Sequence, residues 1–217
     1  MATMRDQLRE LKSLAGPFEP FDLDAAPSTP TVLFQSWLTA AIAAGLREPH
    51  AMTLSTVDAD GNPDARVLIL KDLDARGWHF AISRGSPKGR QIAHHPQVAL
   101  TFYWQALGRQ VRIRGRAVDL GPAAAAADFL ARVPEARAAT LLARQSDVME
   151  SAGALEEGLE RQAQRIAEAP AIVAPDWAVY VVEAGEVEFW QGDENRHHLR
   201  LLYRRAGDAW SRARLWP

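Results

Sequence analysis

Between Ala51 and about Leu120 short apolar runs alternate with turn-forming residues: "AMTLSTV", "DARVLIL", "GWHFAIS", "QVALTFYW" and "RQVRIRGRAVDL". Runs of this length, rich in β-branched and aromatic residues, predict strands. Five of them in about seventy residues predict an antiparallel sheet or barrel rather than repeated βαβ units. "DADGNP" is a turn between the first two. Ahead of the strands, "STPTVLFQSWLTAAIAAGL" sets Leu33, Trp37, Leu38, Ala41, Ile42 and Leu46 at helical spacing, with Thr29 as N-cap and Pro30 at the first helical position. That predicts a core-facing helix. Behind them, "PAAAAADFLARV" and "SAGALEEGLERQAQRIAEA" are helical, the second weakened by Gly153 and Gly158. Strand texture returns at "WAVYVVEAGEVEFW", "HLRLLYRR" and "AWSRARLWP". Strands thus enclose the helices on both sides, and the late ones are expected to complete the early sheet. Residues 1–28, a charged amphipathic piece followed by an extended lead-in, "GPFEPFDLDAAPS", read as an N-terminal arm, and residues 29–217 as a single domain. The expected fold class is α+β, mainly antiparallel β.

Composition narrows the chemistry. A net charge of −2 leaves no global basic field for nucleic acid or anionic lipid, so any anion site must be local. The absence of cysteine removes disulfides, thiolate metal sites, iron–sulfur clusters and a thiol nucleophile. The N-terminus lacks the apolar core of a signal peptide, and no apolar run approaches the ~18 residues of a membrane helix. A soluble cytoplasmic protein is expected. G-x-S-x-G, H-E-x-x-H and the Walker pattern are all missing.

Three stretches carry candidate chemistry. In "SRGSPKGRQIAHH", Ser86 and Pro87 predict an N-cap and first helical position directly after a strand. The N–H groups of such a helix start suit a phosphate, with Lys88 and Arg84 or Arg90 adding charge; a well-capped surface helix fits the same residues. In "GRQVRIRGR", Gln110, Arg112, Arg114 and Arg116 alternate with Val111 and Ile113, a polar row that faces either water or a ligand groove. In "EFWQGDENRHHLR", extended residues 196–200 would put Arg196, His198 and Arg200 on one face and His197 and Leu199 on the other. Three cations on one face fit an anion grip, and equally a solvated basic edge strand beside Asp193 and Glu194. Adjacent histidines diverge, so neither His94–His95 nor His197–His198 chelates a metal readily, and no metal is expected.

Taken in order, "EPHAMTLSTVDADGNPDARVLILK", "FAISRGSPKGRQ", "HHPQVALTFYW", "RQVRIRGR", "RQS", "EFWQGDENRHHLR" and the closing "LLYRR" and "RLWP" make the chain, from about Leu33 to Pro217, resemble the pyridoxine/pyridoxamine 5′-phosphate oxidase family. The resemblance implies an FMN-binding split β-barrel with flanking helices, and a homodimer with its sites at the subunit interface. It implies FMN contacts at Arg66, Val67, Leu68, Lys71, Ala81, Ile82, Ser86, Lys88, Gln110, Gln145, Ser146, Trp190 and Arg200. Substrate contacts fall on Lys71, Arg132, Arg196 and His198, the last two also being the catalytic candidates. The implied reaction is oxidation of pyridoxamine or pyridoxine 5′-phosphate to pyridoxal 5′-phosphate, with O₂ giving H₂O₂. A sister oxidase acting on another aromatic metabolite, of the phenazine-pathway type, and a flavin-binding protein without vitamer turnover are the alternatives. The chain departs from the family at Asp128, where the family has tyrosine, at Ala136, where it has the phosphate-binding serine, and at Pro87, where it has arginine. Two lost hydroxyls and one added carboxylate are expected to weaken the hold on a phosphorylated substrate.

Overall fold

The computed structural model describes residues 2–19 and 21–217; Met1 and Pro20, within the expected arm, lie outside the described residues. Helix α1 (Met4–Glu10) opens on a capping box of Thr3 and Asp6. Helix α2 (Pro30–Ala43) starts where the proline predicts, with Thr29 extended but making no side-chain cap bond. Its buried stripe is Leu33, Phe34, Trp37 and Ala41, whereas Ile42, expected on that face, is 60% exposed. At 100° per residue Ile42 lies more than a quarter-turn from the centre of the stripe.

The strands follow as β1 (Ala51–Val57), β2 (Pro63–Ile69), the short β3 (Asp72–Leu73), β4 (Trp78–Ser83), β5 (Gln97–Trp104), β6 (Arg109–Asp119), β7 (Trp177–Gln191), β8 (Leu199–Ala206) and β9 (Ala209–Arg214). Helix α3 (Pro87–His94) separates β4 from β5, and α4 (Gly121–Leu130), α5 (Pro134–Leu141) and α6 (Ala152–Glu168) separate β6 from β7. The sheet order is β2-β1-β5-β6-β7-β4-β3, with β8 on β7 and β9 on β8, so the late strands do complete the early sheet. Helix α5, "PEARAATL", falls where no helix was expected.

By contacts the chain forms two compact units. One takes the N-terminal residues to Met52, with residues 100–113 and 185–217. Its core is aromatic: Phe34 meets Phe102 at 4.8 Å, Trp37 meets Phe189 at 5.2 Å and Phe189 meets Tyr203 at 5.7 Å, all edge to face. Such pairs add to the area they bury. The other unit takes residues 53–99 and 114–184. There Phe80 of β4 stacks on Tyr180 of β7, and Phe129, Ala138, Leu141, Ile166 and Trp177 form a second core under α4, α5 and α6. No helix among the described residues is long and apolar enough to cross a membrane.

Candidate functional site

The expected site residues fall into two sets, one in each unit. In the unit of residues 53–99 and 114–184, α3 begins as its sequence predicts. The Ser86 hydroxyl accepts from the Gly89 N–H at 3.3 Å and donates to the Ser83 carbonyl at 2.7 Å. Glycine at 89 is required: a Cβ there would lie 2.4 Å and 2.5 Å from the carbonyl oxygens of Arg84 and Ser83. This close approach brings Lys88 inward, where it is only 6% exposed. Its Nζ donates to Gln145 Oε1 at 2.9 Å, a neutral amide rather than a carboxylate. Burial pushes the Lys88 ammonium below its usual range, Arg66 pushes it further, and Asp64 opposes both. A buried, under-neutralised cation at the positive end of a helix is a place for an anion.

Arg66 stands beside it on β2. Its guanidinium donates to Thr56 Oγ1 at 2.6 Å, Leu54 O at 3.3 Å and Gln91 Oε1 at 3.2 Å, and pairs with Asp64. Arg84 does not supply the expected extra charge: Asp119 neutralises it at 2.7 Å and 2.9 Å. Arg90 turns to the Gly85 carbonyl.

A cavity of about 510 Å³ opens beside Lys88. Six expected residues, Leu68, Ala81, Ile82, Lys88, Arg132 and Gln145, line it, joined by Thr140 and Trp177. Its size is ordinary for a small-molecule site. Val67, next to Leu68 on the alternating strand, points away and is 66% exposed. Ser146 is exposed at φ 75, in the turn that follows Gln145.

Arg132 lies over the Trp177 ring at 4.2 Å and donates to Thr140 Oγ1 at 2.7 Å, while Thr140 donates to the Ala136 carbonyl at 2.9 Å. Burial lowers the Arg132 guanidinium from its ordinary range, with Asp128 opposing. Lys71 pairs with Asp128 Oδ1 at 3.1 Å, and Asp128 Oδ2 accepts from the Trp177 indole N–H at 2.8 Å. Neither Lys71 nor Asp128 is on the cavity wall.

In the unit that includes residues 185–217, the expected extended face of residues 196–200 does not form. Arg196 is at φ 64 in a turn, and β8 starts only at Leu199. Asp193 is the cause: its Oδ1 accepts from the Asn195 and His197 N–H groups at 2.8 Å and 3.1 Å, and its carbonyl from Arg196 N at 3.1 Å. A side chain that satisfies successive backbone donors competes with extension. The Asp193 N–H donates to His198 Nδ1 at 3.1 Å, and the imidazole sits 5.0 Å from the Trp190 ring. Arg196 and His197 are exposed.

Arg200 is not a free cation either. Its Nε donates to Glu188 Oε1 at 2.8 Å and its NH1 to the Trp216 carbonyl at 2.9 Å, while Arg112 donates to the other Glu188 oxygen. Burial raises the Glu188 carboxyl, but hydrogen bonds from Arg200 and Arg112 outweigh it, and the carboxyl titrates below the ordinary range. Gln110 is half-buried at the start of β6, whose Arg112, Arg114 and Arg116 are exposed between buried Val111, Ile113 and Gly115.

Sequence reasoning missed Glu188, Asp193, Thr140 and Trp177 as parts of these sets. For Glu188 a signal exists: the β7–β8 hairpin pairs Trp190 with Arg200, which sets Arg200 diagonal to Glu188 on the same face. Among the described residues no cluster of three or more metal-ligating side chains occurs.

Comparison with known proteins adds to this geometry. Residues 38–191 match the family model described as pyridoxamine 5′-phosphate oxidase, and residues 177–217 match the model described as the pyridoxine 5′-phosphate oxidase C-terminal dimerisation region. A pyridoxine/pyridoxamine 5′-phosphate oxidase of Thermosynechococcus vestitus is 43% identical over 88% of this chain and 90% of its own. One from Rubrobacter xylanophilus is 42% identical over 89% of each. The crystal structure of PhzG from Burkholderia lata 383, in complex with tetrahydrophenazine-1-carboxylic acid, superposes with a TM-score of 0.86 at 31% identity, covering 93% of this chain and all of that one. That likeness bears out the expected fold class, an α+β split barrel with a mainly antiparallel sheet. With a family model matched over most of its length and relatives this similar, the chain belongs to the pyridoxamine 5′-phosphate oxidase family.

Proposed function

We propose that the chain is an FMN-dependent oxidase that converts pyridoxamine and pyridoxine 5′-phosphate to pyridoxal 5′-phosphate, reducing O₂ to H₂O₂. The observation that carries the cofactor is Lys88: a buried ammonium that, among the described residues, bonds to an amide and no carboxylate, at a capped helix start beside Arg66, opening on a cavity walled by Leu68, Ala81 and Ile82. A phosphate end fits the cations and a flat ring fits the apolar wall. FMN, when bound, supplies the two-electron redox chemistry that no side chain here can.

The side chains divide the remaining work. Lys88, Arg66 and the α3 N–H groups near Ser86 hold the cofactor's phosphate. Val67, Leu68, Lys71, Ala81, Ile82, Gln110, Gln145, Ser146, Trp190 and Arg200 complete its setting. Arg132, with Lys71, holds the substrate's anionic end, and Arg196 and His198 position its ring. His198 takes a defined part: with Nδ1 accepting from the Asp193 N–H, its proton is on Nε2, a donor for the substrate. The matched dimerisation region supports a homodimer. A cytoplasmic location belongs to the same reading.

The relatives called pyridoxine/pyridoxamine 5′-phosphate oxidase are 38–43% identical, against 31% for PhzG, which favours the vitamer over a phenazine-type substrate. Purified protein should take up FMN, turn yellow and release H₂O₂ with pyridoxamine 5′-phosphate, and Arg196→Ala should lose most of that turnover. A protein that takes up no FMN would refute the proposal.

A further inference from the structure

Next to the cavity, one carboxylate does two things. Asp128 is 19% exposed; one oxygen is 3.1 Å from Lys71 Nζ and the other accepts from the Trp177 indole N–H at 2.8 Å. The indole fixes the carboxylate's position, so the carboxylate in turn fixes the lysine. Lys71 is thereby held off the cavity wall, although its side chain is 34% exposed and long enough to swing. On the wall itself stands Arg132, flat on the other side of the same interaction system, over the Trp177 ring and bonded to the Thr140 hydroxyl. Thr140 is anchored to the Ala136 carbonyl one turn earlier in α5. Of the two cations around Trp177, Lys71 is thus already partnered by a carboxylate, whereas Arg132 is held by a ring and a hydroxyl.

We propose that Asp128 is a specificity-determining residue that competes with the substrate's phosphate for Lys71, and that Thr140 is the positioning residue that aims Arg132 at that phosphate. This rests on the functional reading above and deepens it. A phosphate entering the cavity meets Arg132 first, preset by Thr140, and recruits Lys71 only by displacing Asp128. The site consequently binds a phosphorylated ligand less tightly than its two cations would allow. Asparagine at 128 keeps an oxygen for the indole N–H while giving up the charge, which releases Lys71 and leaves Trp177 in place.

The test uses the FMN-loaded protein and two readouts: KM and kcat for pyridoxamine 5′-phosphate by H₂O₂ release, and the Kd of inorganic phosphate by calorimetry. Asp128→Asn should lower KM and the phosphate Kd by about tenfold, one charge-assisted hydrogen bond gained, with kcat within about twofold of the parent. Oxidation of pyridoxamine, which lacks the phosphate, should not change. Thr140→Val should raise both constants about tenfold, and Thr140→Ser should restore them. Asp128→Ser is the second variant at 128, and either folded variant decides the matter. An unchanged or higher KM and Kd in a folded 128 variant, or a Thr140→Val that binds phosphate as the parent does, overturns the proposal. If the parent fails to oxidise pyridoxamine 5′-phosphate while Asp128→Asn still tightens phosphate binding, the functional reading falls and the competition stands. If the parent turns over and phosphate binding ignores position 128, the competition falls alone.

Discussion

Lys88→Met separates a binding role from a structural one because the two demand opposite outcomes. Methionine has about the length and volume of lysine and no charge, so the packing beneath α3 is retained. What is lost on the apo side is one charge-assisted hydrogen bond to Gln145 at 2.9 Å, about 1.5–3 kcal/mol. What is gained is relief from holding an ammonium in a site where burial and Arg66 both disfavour its charge. The two effects oppose each other, and the apo protein should melt within about 4 °C of the parent, or above it. On the cofactor side, one charge-assisted hydrogen bond to a phosphate disappears, about 1.5–3 kcal/mol, which raises the Kd of FMN by about tenfold to about 150-fold. Fluorescence quenching of FMN titrated with apo protein gives the Kd, and thermal melts with and without FMN give the stabilisation that saturating cofactor contributes. A variant that binds FMN as the parent does while melting well below it would show that Lys88 holds the fold, and would refute the reasoning.

Three further outcomes follow from the same geometry. Glu188→Gln leaves Arg112 and Arg200 without their shared carboxylate and should cost about 2–4 kcal/mol in denaturant unfolding, with weaker FMN binding through a misplaced Arg200. Gly89→Ala forces a methyl against two backbone carbonyls and should destabilise by about 1–3 kcal/mol, shifting the start of α3 and weakening FMN binding with it. Asp74, 3.0 Å from His79 Nε2, titrates at about 2 rather than the ordinary 3.8: burial raises it, but the adjoining His79 imidazole and the hydrogen bond from the Arg76 N–H prevail. A depressed carboxyl contributes stability above its unfolded pKa that is lost as pH falls through the folded value. At face value the shift is worth about 2 kcal/mol, cut to about 1 by solvent screening of a carboxylate that is 37% exposed. The stability gap between the parent and Asp74→Asn should be constant at neutral pH and close between about pH 4 and pH 2.

Where local rules act alone, the chain was legible. Ser86 and Pro87 set the start of α3, and alternation in "RQVRIRGRAVD" matched the buried and exposed rows of β6. Ile42 shows the limit of spacing: its position fits a helical template, yet the stripe that meets Phe102 and Phe189 is centred elsewhere. The 196–200 stretch shows another. Alternation presumes extended backbone, and Asp193 overrides it by accepting from the two N–H groups that extension would have left free. Charges were countable from sequence, but their commitments were not. Arg84 and Lys71 meet carboxylates 35 and 57 residues away, Asp119 and Asp128, and only the folded chain brings them together. Lys88 is the instructive contrast, since what marks it is that among the described residues it meets an amide and not a carboxylate.

Reduction of the bound flavin by substrate tests the central claim most directly. FMN-loaded protein is mixed with pyridoxamine 5′-phosphate without O₂, and the absorbance of oxidised flavin is followed. That absorbance should bleach on mixing, pyridoxal 5′-phosphate should appear in equal amount, and the yellow colour should return with H₂O₂ when O₂ is admitted. Flavin that stays oxidised in the presence of saturating pyridoxamine 5′-phosphate would contradict it.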